Sequence, residues 1–272
     1  MTLLYVFPHP DDESFGPGPA MARHAREGHA VHLLTLTRGG ATKQRHTYGY
    51  SVEEMGAIRE RETLAAAEAL GCTSATVLDF PDSGLADLDP RPLEAAIRDA
   101  VERVRPDVLV TYAAHGISGH PDHLVTHAVV KRVFCELRGR AGAPRRLALF
   151  TLIEGEIVRP PDHLQGVPRA DVGAIVTFSD ADRQRGTEAL RCYETYQCVV
   201  DEHNPLKQVA SGVPFVLFQE EVDGVLDDLT AGLTARTAPR VVTGVGGGRR
   251  RHPRQQRPDR ARAPEPHTPP PP

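Results

Sequence analysis

Residues 3 to 13, LLYVFPHPDDE, decide the fold. A five-residue apolar run stops at a proline and opens into a loop holding one His, two Asp and one Glu. A run this short, bounded by Pro, reads as a buried strand rather than a core helix. The arrangement recurs at residues 107 to 123, DVLVTYAAHGISGHPDH, where a second apolar run ends in a loop rich in His. Three further runs, AVHLLTLT (30 to 37), ATVLDF (75 to 80) and LALFTLI (147 to 153), have the same character. Helical patterns fill the gaps, over about 17 to 27, 52 to 70, 90 to 104 and 121 to 138. Two of these carry start signals, Ser51 with Glu54 as a capping box and Asp89 before Pro90, and Gly28, Gly71 and Gly139 stand where helix C-caps belong.

Strands alternating with helices of this length predict an α/β fold, a Rossmann-like, mostly parallel sheet with helices on both faces. A strand near 173 to 178, a helix over about 180 to 196 and the run VPFVLF (213 to 218) are expected to complete the sheet as C-terminal edge strands. The 272 residues divide into a domain over 1–235 and a tail over 236–272. The tail reads as disordered: it is rich in Arg, Gly and Pro and has almost no apolar residue after Val245. Eight Arg against Asp259 and Glu265 in residues 240 to 272 make it basic, so the body holds the acidic surplus of a chain with net charge −4. Such a tail is a solvated extension, and no nucleic-acid partner is expected from it. No apolar run approaches the ~18 residues of a membrane span. The start lacks the basic and long apolar regions of a secretory signal. A soluble, cytoplasmic protein is therefore expected. Cys72, Cys135, Cys192 and Cys198 are widely spread, which predicts reduced, mostly buried thiols rather than a disulfide framework.

In an open α/β sheet the ligand crevice lies beyond the carboxyl ends of the strands where their order reverses. The two His-Pro-Asp loops follow the first and fourth strands and are expected to face each other there. Gly16-Pro17-Gly18-Pro19 lacks the G-x-G-x-x-G spacing, and its prolines remove amides that a pyrophosphate needs, so no dinucleotide cofactor is predicted. Imidazoles and carboxylates do suit zinc, which in catalytic sites takes three protein ligands and keeps one position open. His9, Asp12 and His123 make that set. The polar segment from Gly39 to Val52 is long for a simple connection and is expected beside the substrate, with Lys43, Arg45 and Tyr48 available to it.

HPDDE after the first strand and GHPDH after the fourth resemble the PIG-L/LmbE-like family of zinc-dependent N-acetylglucosaminyl deacetylases. Thr37-Arg38-Gly39, Ile58-Arg59-Glu60-Arg61-Glu62 with Ala69-Leu70-Gly71, and Asp82-Ser83-Gly84-Leu85 extend the likeness. A weaker match at Ala189 to Gln197 carries it over most of residues 3 to 200. The resemblance implies zinc on His9, Asp12 and His123, with iron(II) as an alternative set by metal availability. It implies Asp11 as general base. It implies His120 as the group that stabilises the oxyanion or protonates the leaving amine, Asp122 as its orienting partner, and Glu13 as a lock on the loop. Arg59 and Asp82 match substrate-contacting positions. Where some family branches carry a Tyr two residues before the first His of GHPDH, this chain has Ser118, so Tyr112 or Tyr48 is a candidate to replace it.

The expected function is removal of acetyl from an N-acetylglucosamine-type amino-sugar conjugate, a small-molecule partner, releasing acetate and a free amine. An amidase acting on a thiol conjugate, glycopeptide or antibiotic intermediate is the alternative within the same chemistry. A non-catalytic sugar-binding module of the same fold is the alternative outside it, and binding alone has no need of Asp11 or His120. His127, one helical turn after His123, is read as packing rather than as a fourth ligand. Oligomeric state is not legible.

Overall fold

The computed structural model describes residues 1–158 and 161–234. The chain runs β1 (Thr2–Phe7), α1 (Gly18–Arg26), β2 (Ala30–Thr37), α2 (Arg45–Tyr48), α3 (Val52–Leu70), β3 (Ser74–Phe80) and α4 (Pro90–Val104). It continues through β4 (Val108–Tyr112), α5 (Pro121–Leu137), β5 (Arg146–Phe150), β6 (Ala174–Val176), α6 (Asp180–Arg191), α7 (Gln197–His203) and β7 (Val213–Leu217). The seven strands form one sheet in the order β3-β2-β1-β4-β5-β7-β6. β3, β2, β1, β4 and β5 are parallel. β7 runs antiparallel to both β5 and β6, so the C-terminal segments do extend the sheet at one edge. The tail expected over 236–272 lies outside the described residues.

Successive side chains of β1 enter opposite layers, as a strand's two-residue period requires. Leu3, Tyr5 and Phe7 join Met21 of α1 and Ala66 and Leu70 of α3, whereas Leu4 and Val6 join Ile97 of α4 and Val130 and Val133 of α5. Leu3 to Phe7 are all buried, which is why the strand reads as an unbroken apolar run. The capping box at α3 is present, with Glu54 N–H donating to Ser51 Oγ at 3.1 Å and Ser51 N–H donating to Glu54 Oε2 at 2.9 Å. α3 ends on Gly71 at φ 78°.

Three expectations needed correction. The helix predicted over 180 to 196 stops at Arg191, because the residues beyond it serve the interior instead. Tyr193 is fully buried with its hydroxyl donating to Glu13 Oε1 at 2.7 Å, and Thr195 donates through N–H and hydroxyl to Glu62 at 2.9 and 2.7 Å. The run 147 to 153 yields a strand only to Phe150, after which Ile153 leaves the sheet and bridges Val167. Cys135 and Cys198 are exposed rather than buried, and Cys72 and Cys192 are half-buried; all four are free thiols. Among the described residues no helix is long and apolar enough to cross a membrane.

Candidate active site

β1 and β4 are neighbours, and from them the chain winds outward in opposite directions, to β2 and β3 on one side and to β5 on the other. The crevice expected at that reversal holds both His-Pro-Asp loops. His9 Nδ1 and His123 Nε2 are 3.3 Å apart. Asp12 sits between the rings, with Oδ2 3.5 Å from His9 Nδ1 and Oδ1 3.3 Å from His123 Nε2.

The hydrogen bonds around these rings fix what the facing nitrogens offer. His123 Nδ1 lies 2.9 Å from the Gly116 carbonyl oxygen, which only accepts, so Nδ1 carries the hydrogen and Nε2 the lone pair. His9 Nε2 lies 3.2 Å from Asp122 Oδ2 and 3.4 Å from Asp82 Oδ1, so its hydrogen also points outward and Nδ1 faces the cluster. Two nitrogens and a carboxylate directed at one another repel unless positive charge lies between them. Burial lowers the His9 pKa, but bonds to Asp12 and Asp122 overcome it and hold it up at about 10, so without a metal the His9 ring itself carries the positive charge that a bound cation would replace. Burial alone would raise Asp12; His123 and His9 outweigh it and keep the carboxylate well below its usual range. The neighbourhood is therefore built for a cation. Separations of 3.3 to 3.5 Å are also those of ligand atoms ~2.0–2.2 Å from one centre in tetrahedral directions, so the donor set fits zinc. The ligand atoms of His9, His120 and His123 form an overlapping group within 4.8 Å, as do those of His9, Asp82 and Asp122. The Asp12 carboxylate approaches both imidazoles closely, so it could stand as a third ligand beside them.

Asp11 stands beside Asp12 at φ 87°, in the left-handed region, while the following turn is closed by Ser14 N–H and Phe15 N–H donating to its carbonyl at 2.8 and 2.9 Å. A non-glycine residue there costs roughly 1–3 kcal/mol, a strain typical of functional positions. Ser83 and Ile117, also on the cleft wall, share positive φ. The bend aims the Asp11 carboxylate at Arg59, whose Nη2 donates to Asp11 Oδ2 at 2.5 Å and to Pro10 O at 2.8 Å, with Nη1 on Gly39 O at 3.1 Å. Gly39 is needed for that approach: at φ 66°, a Cβ there would lie 2.4 Å from Arg59 Nη1. Burial pushes Asp11 up to about 8 even though Arg59 pulls it down.

Arg59, expected to contact substrate, lines the cleft, with these donors engaged within the protein and its guanidinium packed on the Tyr196 ring at 4.6 Å. It is 3% exposed and positions Asp11. Asp122, expected to orient His120 with its carboxylate, uses that carboxylate on His9 and on the Leu85 N–H at 3.1 Å. His120 is oriented by the Asp122 backbone instead, whose N–H donates to its Nδ1 at 3.2 Å; as N-cap of α5 it is fixed by the helix start. That bond leaves the His120 proton on Nε2. Burial, then His9 and His123, lower the His120 pKa, so its ring is neutral. Asp82 lies in the cleft as expected, with Oδ2 accepting the Ala41 N–H at 2.7 Å. His127 directs Nδ1 to the Tyr112 carbonyl at 2.9 Å and takes no place among the facing donors. Glu13, expected to lock its loop, accepts from the Tyr193 hydroxyl at 2.7 Å and from Ser14 Oγ at 2.5 Å.

Tyr112 does reach the site, but as support: its hydroxyl donates to Asp12 Oδ1 at 2.7 Å. Tyr48 donates to the Glu194 carbonyl at 3.2 Å and is absent from the cleft wall, as is Arg45, whereas Lys43 lines it. Sequence reading missed the supporting roles of Tyr193 and Tyr196; the Glu62 and Arg59 of one helical motif, which bind Thr195 and stack on Tyr196, were the available signal. The cleft over the cluster has a volume of about 600 Å³, within the ~300–1,000 Å³ of small-molecule sites. A second cavity of about 440 Å³, walled by Arg183, Leu190, Arg191 and Lys207, contains none of the predicted site residues.

Residues 4–134 match the family model PIG-L, GlcNAc-PI de-N-acetylase. The 1D-myo-inositol 2-acetamido-2-deoxy-alpha-D-glucopyranoside deacetylase of Saccharomonospora viridis is 32% identical over 269 residues, covering 85% of this chain and 100% of the relative. The enzyme of the same name from Rhodococcus opacus is 35% identical, covering 85% and 98%. Among solved structures, a deacetylase of the teicoplanin biosynthesis pathway superposes with a TM-score of 0.62 over 81% of this chain and 100% of its own, at 18% identity, a likeness of fold. With relatives of that identity matched over nearly their whole length, the chain belongs to the PIG-L family of GlcNAc-PI de-N-acetylases.

Proposed function

We propose that this chain is a metal-dependent amide hydrolase that removes acetyl from an N-acetylglucosamine-type conjugate, giving acetate and a free amine. The observation that carries the reading is the convergence of His9 Nδ1, His123 Nε2 and Asp12 on one point, with the strained Asp11 carboxylate beside them. The names of the Saccharomonospora and Rhodococcus relatives support the amino-sugar end of the substrate.

His9, Asp12 and His123 would hold the metal, zinc by the chemistry of the donor set. When bound, zinc supplies Lewis-acid polarisation of an amide carbonyl and lowers the pKa of water near it. Asp11 accepts the proton of the attacking water, a general-base role worth about 10²- to 10⁴-fold in rate. Arg59 keeps the Asp11 carboxylate turned to that task. His120, neutral with its hydrogen on Nε2, donates a hydrogen bond to the oxygen that becomes anionic, and the proton taken up by Asp11 passes to the departing amine as the C–N bond breaks. Asp122 acts through His9, holding its ring, and Asp82 is placed to accept from a sugar hydroxyl. The reading assigns the chemistry to residues 1–235 and none to 236–272.

Primary-amine release from N-acetylglucosamine conjugates tests it. Activity should disappear on treatment with a chelator and return with one equivalent of zinc; turnover indifferent to chelation would overturn the metal assignment.

A further inference from the structure

α7 lines two cavities, one with each face. Val199 and His203, one turn apart, line the active cleft together with Tyr196 just before the helix, whereas Gln197, Val200 and Asp201 line the second cavity, of about 440 Å³. A stripe of α6, Arg183, Thr187, Leu190 and Arg191, forms another wall of that cavity at the spacing of one helical face. Asn204 ends α7 in the left-handed region at φ 41°, and the short 3-10 turn after it brings Leu206 and Lys207 to the same space, with Lys207 N–H donating to Asn204 O at 3.1 Å.

The floor of this second cavity is apolar: Leu190, Val200 and Leu206 are buried. Its charge is cationic. Arg183, Arg191 and Lys207 stand against a single acid, Asp201, a net of +2 in a domain whose own surplus is acidic. Among the described residues no carboxylate forms a salt bridge with any of the three cations. Arg183 is held without being neutralised, its Nη2 donating to the Ala210 carbonyl at 2.8 Å and its guanidinium packed on the Phe178 ring at 4.8 Å. Asp201 is engaged by its own helix, accepting from Gln197 Nε2 at 3.0 Å. Cations gathered on one cavity repel each other until an anion is shared among them, and a phosphate dianion matches both the net charge and the mixture of Arg forks with a Lys point charge.

We infer that the cavity behind α7 is a second ligand site, for a small organic phosphate whose apolar part rests on Leu190, Val200 and Leu206, and that its occupant braces α7, the wall shared with the active cleft. Tyr196, packed on Arg59, adjoins α7 directly, so what steadies the helix also steadies the ring against the residue that positions Asp11.

Calorimetric titration of the full chain with butyl phosphate, inorganic phosphate and 1-butanol tests the site. Butyl phosphate should bind with one-to-one stoichiometry and at least tenfold tighter than inorganic phosphate, because only it uses the apolar floor, and 1-butanol should give no binding heat. Lys207→Glu and Arg191→Glu should each weaken butyl phosphate about tenfold or more, and Lys207→Arg should retain it, which separates a lost charge from a lost fold. Amide hydrogen exchange across residues 197 to 204 should slow about threefold or more when butyl phosphate is added to the parent and stay unchanged in Lys207→Glu. Binding that survives both charge reversals but vanishes in His123→Ala would place the phosphate at the metal donors and overturn the inference. So would equal binding of inorganic phosphate, no binding at all, or exchange across α7 that butyl phosphate leaves untouched. None of these readouts depends on turnover, so a failed hydrolase reading and a failed second site are distinguishable.

Discussion

Tyr112 lies parallel to His123, their ring centroids 4.3 Å apart and their planes 7° from coplanar. Its hydroxyl reaches past the imidazole to Asp12 Oδ1. One side chain thus orients two of the three donors, a ring by stacking and a carboxylate by hydrogen bonding. Its position as the last residue of β4 makes this possible: the strand is fully buried, so the ring is held on both faces while the hydroxyl emerges at the crevice.

Tyr112→Phe keeps the stack and removes the hydrogen bond. Loss of such a supporting bond typically costs 10- to 100-fold in metal affinity or activity. We predict zinc affinity reduced at least tenfold in a chelator competition, with unfolding free energy within about 1–2 kcal/mol of the parent. Unchanged zinc affinity would show that Asp12 needs no such support.

Arg59→Lys should lower kcat by 10-fold or more with little change in KM, because a point charge cannot hold Asp11, Pro10 O and Gly39 O together as the guanidinium does. Arg59 pulls the Asp11 pKa down, so Arg59→Met should move the acid limb of the kcat profile to higher pH. A rise in KM alone would return Arg59 to the substrate-contact role.

Asp182 closes a capping box with Ser179 and accepts two bonds from Arg26 at 2.9 and 3.0 Å. Burial opposes its charge, but Arg26 and Ser179 prevail and lower its pKa to about 2. A depressed carboxylate stabilises the fold above its unfolded value of ~3.9, and that stabilisation fades as pH falls toward 2. With Arg26 half exposed, most of the effect is the cap: Asp182→Ala should cost about 1–2 kcal/mol at pH 7 in urea denaturation. The difference from the parent should shrink by pH 2.5; a constant difference would assign it to packing.

The fold was legible because β1 to β5 are apolar runs alternating with helices, and the meeting of the two loops because HPDDE and GHPDH sit at strand ends. Roles that depend on tertiary direction were not. Arg59 lies 47 residues beyond Asp12 in sequence, and only the packing of α3 under the β1 loop shows that its guanidinium meets Asp11. Asp122 follows His120 by two residues, which suggested a side-chain pair, yet the helix start turns its carboxylate across the crevice to His9. Tyr193 and Thr195 continue a helical pattern, and only their buried partners Glu13 and Glu62 explain why α6 ends before them.

The most direct measurement is amine release from N-acetylglucosamine conjugates by zinc-loaded parent and Asp11→Asn, each assayed for bound metal. The account predicts one zinc equivalent in both proteins and a ~10²- to 10⁴-fold lower rate in the variant. A parent that binds zinc yet leaves every conjugate intact, or an Asp11→Asn protein that turns over at the parent rate, would contradict it.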